Sequence, residues 1–171
     1  MTPTILVAYA TTYGSTQEVA QSVAETLRGC GLAVEVLPAK KVSSLSGYGA
    51  VVLGAPLYMF RWHPDARHFL AKHRAALASL PTAIFALGPF HNKEEEVKSA
   101  RGQLDKELAK FAWLKPAAIE AFVGKFDPAG LRFPYSLIGP IKKMPASDER
   151  DWDAIHAWAV SVSNVFAGQA R

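Results

Sequence analysis

Four aliphatic hydroxyls crowd into the stretch Ala10-Thr11-Thr12-Tyr13-Gly14-Ser15-Thr16, at Thr11, Thr12, Ser15 and Thr16. A helical pattern follows at once, with Val19, Ala20, Val23, Ala24 and Leu27 on one stripe. The first amides of a helix have no partner inside it, and its dipole favours an anion. Hydroxyls gathered there therefore suit a phosphate. No lysine completes a G-x-x-x-x-G-K-[ST] loop, which argues against a nucleoside triphosphate. No G-x-G-x-x-G fingerprint marks an ordinary dinucleotide site. A loop without a cation fits a phosphate monoester met by dipoles and hydroxyls. The same residues also read as a capped helix with polar turn residues.

A second stretch, Gly54-Ala55-Pro56-Leu57-Tyr58-Met59-Phe60-Arg61-Trp62-His63, is apolar and aromatic for a surface connection. Ala55, Pro56, Leu57, Tyr58, Met59 and Phe60 could wall a flat conjugated ring by stacking and apolar contact. They could equally pack into a core or an interface. A third stretch offers Leu87, Gly88, Pro89 and Phe90 for the ring's other side, with Gly88 letting backbone come close. His91, next in line, is either a hydrogen-bond partner of that ring or a solvated loop histidine. His63, His68 and His73 stand five apart and scatter around a helix, so no metal set is expected. Asp65, Arg67 and the Glu94-Glu95-Glu96 run read as helix-end acids and a solvated face. No Ser/His/Asp nucleophile arrangement is readable, and Cys30, between two glycines, reads as structural.

These stretches need a frame that brings them together. Thr4 to Ala10 is a compact apolar run, a candidate buried strand. Ser15 to Arg28 reads as a helix stopped by Gly29 and Gly31, and Leu32 to Val36 as a second strand at an edge. Tyr48 to Gly54 is a third strand. A helix opened by His63-Pro64-Asp65 runs on until Pro81 blocks it. Thr82 to Leu87, the helix Glu94 to Phe111, the strand Ala117 to Val123 and a last helix capped by Asp151 complete the series. Five strands alternating with four helices predict an α/β fold, a doubly wound five-stranded parallel sheet with helices on both faces. Ligands of such sheets bind beyond the C-terminal strand ends, where the three stretches lie. Only Gly124 to Pro145 breaks the rhythm, as a long irregular segment before the last helix.

Composition narrows the field further. Half of the 171 residues are hydrophobic and a fifth are charged, which predicts a single ordered domain over residues 1–171. One cysteine excludes a disulfide framework and an iron–sulfur cluster. Ile5-Leu6-Val7-Ala8 is too short for a membrane span or a signal sequence, so a cytoplasmic location is expected. Lys and Arg outnumber Asp and Glu by 19 to 15, but they are dispersed, with no nucleic-acid-binding spacing, and no nucleic-acid partner is expected.

The run Ile5 to Thr16, followed by Val19-Ala20, resembles the N-terminal signature of the flavodoxins. The resemblance implies the sheet order 2-1-3-4-5 and FMN as cofactor. It implies that Thr11, Thr12, Tyr13, Gly14, Ser15 and Thr16 hold the FMN phosphate, with Tyr13 standing where many flavodoxins have threonine. The loops 55–60 and 87–90 would then wall the isoalloxazine, and the chemistry would lie on the flavin with no catalytic side chain. Nearly the whole chain is similar to the flavodoxin-like, menaquinone-dependent protoporphyrinogen IX dehydrogenases of haem biosynthesis. The marks are Gly54-Ala55, Pro81, Leu131-Arg132-Phe133-Pro134-Tyr135, Ile141-Lys142-Lys143-Met144 and Asp151-Trp152. Pro56, Leu57 and the stretch Pro89 to Glu96 depart from that family's pattern.

This second resemblance implies an FMN-dependent oxidoreductase that oxidises protoporphyrinogen IX, or a similar reduced substrate, with a quinone as acceptor. The alternative is a basic flavodoxin carrying electrons to a redox partner protein. Aromatic and basic residues interleave in the irregular segment, where Arg132, Phe133, Tyr135, Lys142 and Lys143 are candidates for contact with substrate or membrane. Peripheral contact with the inner face of a membrane is expected on that reading. The same aromatics could also simply pack back onto the domain.

Overall fold

In the computed structural model, residues 3–131, 133 and 135–170 are described, Tyr135 by its backbone only. Five long strands form one parallel sheet: β1 (Thr4–Tyr9), β2 (Val34–Pro38), β3 (Tyr48–Tyr58), β4 (Thr82–Leu87) and β5 (Ala118–Phe122). Their order is β2-β1-β3-β4-β5, which is the predicted one. Four long helices cover it: α1 (Ser15–Gly29), α2 (Pro64–Lys72), α3 (Glu94–Leu108) and α4 (Trp152–Gln169). An exposed Cys30 follows the C-terminal end of α1.

Side chains alternate across the strands, and both faces are apolar because both are covered. Leu6, Ala8, Val51, Leu53, Ile84 and Ala86 meet Phe69 and Leu70 of α2 and Leu104 of α3. Ile5, Val7, Val52 and Phe85 meet Val19, Val23 and Leu27 of α1 and Ile155, Ala159 and Val162 of α4. β2 is only partly buried, as an edge strand is.

Three expected boundaries move. β3 runs past Gly54 to Tyr58, because its ladder with β4 continues to Pro56 opposite Leu87. Its end then turns back on Arg61–Trp62 as an antiparallel hairpin. The helix expected from His63 towards Pro81 stops at Lys72. His73 closes it and opens a short second helix, Arg74–Leu77, with the imidazole against the Phe69 ring at 4.7 Å. The segment after β5 is not structureless. Lys125–Phe126 pairs antiparallel with Ser147–Asp148, and helical turns at Pro128–Gly130, Tyr135–Leu137 and Gly139–Lys142 lie between.

Candidate functional site

The loops leaving β1, β3 and β4, together with the segment after β5, enclose a cleft of about 910 Å³. It lies beyond the C-terminal strand ends, where an open α/β sheet has its free loops and helix N-termini. One end is made by the loop from β1 to α1. Thr11, Thr12, Tyr13, Gly14 and Ser15 line it. Gly14 caps α1 with φ +91°, and its amide donates to Thr11 Oγ1 at 2.8 Å. A glycine cap has no side-chain acceptor, so none occupies the first amides of α1. Thr16 lies behind this surface and is fully buried. Its Oγ1 has no hydrogen-bond partner. A buried hydroxyl left unpaired is costly, and an anion at the helix end would satisfy it.

Thr12 is oriented from outside the loop. His63 Nδ1 accepts the Asp65 amide at 3.1 Å, which leaves the proton on Nε2. Nε2 then donates to Thr12 Oγ1 at 3.1 Å, and the threonine proton is left for another acceptor. Burial, the largest influence, holds His63 below the ordinary imidazole range. Lys40 and Arg67 push the same way against Asp65. The His63 ring lies 6.4 Å from Tyr58, and Tyr58 meets Tyr13 edge-on at 5.9 Å.

The second wall is the tip of the β3 hairpin. Leu57, Tyr58, Met59 and Phe60 line the cleft, whereas Ala55 and Pro56 are buried inside β3 and do not. Met59 and Phe60 both have positive φ, +48° and +66°, the conformation of a two-residue turn that usually takes Asn-Gly. Trp62 anchors the return strand. Its indole donates to the Ala55 carbonyl at 3.0 Å and its amide to Glu107 at 3.3 Å. Burial raises the Glu107 pKa, but Lys110, the Trp62 amide and Arg67 outweigh it and keep the carboxylate ionised. The strained tip thus holds two large apolar side chains at the mouth, 61% and 74% exposed.

Gly88, Pro89 and Phe90 line the third wall, while Leu87 points into the core shared with α1 and α4. Gly88 is needed for the approach of α3: a Cβ there would stand 2.7 Å from that of Ala100. His91 faces Glu96 at 3.4 Å. Sequence reasoning missed the face of α3, where Glu96, Ser99, Ala100 and Gln103 line the cleft. Nothing in an exposed, charged helix marks those positions.

The roof comes from the segment after β5. Lys125, Phe126, Asp127, Gly130, Leu131, Ile141 and Met144 line the cleft, and the Phe90 and Phe126 rings meet tilted at 4.8 Å. Of the five residues expected to contact substrate or membrane, Lys142, Lys143 and Phe133 are exposed outside the lining. Phe133 is 78% exposed and does not pack back onto the domain. Arg132 lies outside the described residues, as does the side chain of Tyr135.

A hydroxyl-lined helix end, an orphaned buried threonine and aromatic walls fit a phosphate ester attached to a flat ring. The sequence matches the flavodoxin domain family over residues 6–151. Protoporphyrinogen IX dehydrogenase (quinone) of Escherichia coli (strain K12) is 27% identical over 93 residues, covering 53% of this chain and 51% of that protein. The match thus takes in about half the length of this curated relative. The fold superposes on rubredoxin oxygen:oxidoreductase of Desulfovibrio gigas with a TM-score of 0.61, at 15% identity, over 99% of this chain and 38% of that one. A flavodoxin from the domain Archaea superposes at 0.61 and 12% identity, over 96% and 99%. The chain belongs to the flavodoxin domain family, and its cofactor is FMN.

Proposed function

We propose that this protein is an FMN-dependent oxidoreductase that takes electron pairs from protoporphyrinogen IX, or a similar reduced substrate, and passes them to a quinone. Bound FMN supplies the chemistry by accepting and releasing electrons. Thr11, Thr12, Ser15 and Thr16 would hold its phosphate with the first amides of α1. Tyr58 and Phe90 would confine its ring from opposite walls. Phe126, Leu131, Ile141 and Met144 would keep water from the reacting face.

The observation that carries this reading is the roof. It lines the cleft with Phe126, Leu131, Ile141 and Met144 beside Lys125 and Asp127, and sets Lys142 and Lys143 outside it. Residues 124–145 hold four basic residues and one acid, Asp127. A largely apolar chamber with cationic surroundings suits a flat hydrophobic substrate bearing carboxylates. The half-length match to a protoporphyrinogen dehydrogenase supports the same substrate class.

The exposed Met59, Phe60, Phe133 and Leu137, with those lysines, also suit peripheral contact with an anionic membrane that holds the quinone. This would place the protein at the inner face of that membrane. A second reading is favoured by the same exposed tip: a basic flavodoxin that hands electrons to a partner protein at the mouth.

The test begins with protein loaded with FMN and reduced anaerobically. Mixing with menaquinone is expected to restore the oxidised flavin spectrum, and a flavin that stays reduced would remove the quinone from the scheme. Porphyrin fluorescence should then grow from protoporphyrinogen in proportion to enzyme. If it grows no faster than in buffer, the carrier reading stands instead.

A further inference from the structure

Ser147 to Arg150 joins three walls of the cleft that are far apart in sequence. Ser147 and Asp148 pair with Lys125 and Phe126 of the roof. Ser147 Oγ donates to the Phe90 carbonyl at 3.3 Å, and the Asn92 amide donates to the Glu149 carboxylate at 2.6 Å. Arg150 reaches the opposite way. Its Nε and Nη2 grip the two Asp148 oxygens at 2.8 Å each. Its Nη1 donates to Glu18 at 2.6 Å and to the Ser15 carbonyl at 3.4 Å. The Trp152 ring stacks on the guanidinium at 4.8 Å.

The Arg150 side chain is 4% exposed, so a full charge is withdrawn from water between two carboxylates and an aromatic face. Such a group is tolerable only with its partners in place, and taking one away leaves a charge without compensation. A planar fork suits the task, since only arginine can hold one carboxylate with two bonds and still donate to others. Ser15 and Glu18 belong to the first turn of α1, the same turn whose free amides, with the buried Thr16 hydroxyl behind them, would receive the phosphate. One turn of helix is therefore held by the roof through Arg150 and would be held by a bound anion through the cleft.

We propose that Arg150 is a positioning residue that locks the roof to the phosphate-binding turn, so that phosphate occupancy and closure of the roof stabilise each other. The proposal rests on the phosphate of FMN lying at Gly14 to Thr16. Coupling between two sites is reciprocal, so an anion alone at the turn should quieten the roof, and loosening the roof should release the cofactor.

The experiment follows amide hydrogen exchange of residues 124–150 in the apoprotein, with and without inorganic phosphate, alongside the rate of FMN release from the loaded protein. Exchange at residues 15–18 reports phosphate occupancy. In the wild type, phosphate is expected to slow roof exchange about tenfold, within the usual range for coupled sites. In Arg150→Gln, phosphate should no longer slow the roof, and FMN should leave about tenfold faster. Arg150→Lys keeps the charge but loses the fork, and should fall between the two. Glu18→Gln leaves the Asp148 pair intact and provides the same readouts at smaller amplitude if Arg150→Gln does not fold. Roof exchange that ignores an occupied phosphate turn would overturn the coupling. So would wild-type FMN release in both Arg150→Gln and Glu18→Gln. A wild-type protein that takes up no FMN would overturn the cofactor site and the coupling with it.

Discussion

The two ends of the cleft are built in different ways. The turn proposed to hold the phosphate is a short link between two buried elements. β1 enters it from the sheet, where the Ala10 amide bonds to the Gly54 carbonyl at 2.9 Å, and α1 leaves it along the core. The roof has no such scaffold. It leaves β5 where the Gly124 amide meets the Pro89 carbonyl, closes a ladder only two residues long, and depends on Arg150 to return to α1. It also exposes Phe133 and Leu137 almost fully. A site set in the frame takes its shape from neighbours in sequence, whereas the roof takes its shape from distant partners.

The largest effect should come from the frame itself. A Cβ at Gly54 would stand 1.9 Å from Cζ of Phe85, whose ring is fully buried against Phe122 and Trp158. Gly54→Val is expected to lose about 3 kcal/mol, at the upper end for an overpacked core. Denaturant unfolding measures this, and Phe85→Leu in the same chain should restore part of the loss. No roof glycine has such a neighbour, since a Cβ at Gly130 or Gly139 meets nothing within 4 Å.

The next effect sets one glycine from each end against the other. Gly14 also has open space for a Cβ, so a side chain there is penalised through its left-handed φ and not by crowding. Gly14→Ala should weaken FMN binding roughly tenfold, as a cost of about 1–2 kcal/mol implies. Gly130→Ala, free of that constraint, should leave the folding midpoint unchanged. Equal losses at the two positions, read by FMN titration and thermal melting, would erase the contrast between the ends.

Thr16 offers a change of sign. Thr16→Val keeps the shape but removes the orphaned hydroxyl, so the apoprotein should be as stable or about 1 kcal/mol more stable. FMN affinity should nevertheless fall about tenfold, the value of a hydrogen bond to a charged group. A variant that loses stability and binding together would mean that the hydroxyl serves the fold.

The smallest effect is a dependence on pH. Because burial depresses the folded pKa of His63, the unfolded chain takes up this proton first as pH falls. The stability contributed by neutral His63 is therefore complete above the unfolded imidazole value of about 6.5. It is lost as pH drops to the depressed folded value. Protonated Nδ1 cannot accept the Asp65 amide, so the cap at the start of α2 should weaken over the same interval, while Nε2 still donates to Thr12. His63→Gln should flatten that interval, while a roof change such as Lys142→Gln should leave it intact.

The same division decides what could be read from sequence. The five strands and the hydroxyl-rich turn between β1 and α1 were legible because short apolar runs, a glycine and a cluster of hydroxyls carry local information, whereas the strand order came with the family resemblance. Ala55 and Pro56 were assigned to a loop and belong to a strand, since the β4 ladder carries the chain straight past Gly54. Gly88 lines the cleft, and its lack of a Cβ also makes room for Ala100 of α3, which no local pattern showed. Arg150 sits unremarked in the run Asp148-Glu149-Arg150-Asp151. Its meaning comes from Glu18, 132 positions away, and no local pattern carries a partner at that distance.

Cys30 has a practical consequence. It is the chain's single cysteine, it is exposed, and it follows the end of α1 opposite the phosphate turn. The 15 residues of that helix, at 1.5 Å each, put about 22 Å between the thiol and the cleft. A thiol-reactive tether would attach every molecule at one point, with the cleft turned away from the support. The protein can therefore be laid down as a uniformly oriented film on an electrode, cofactor side to the solution, without engineering a residue.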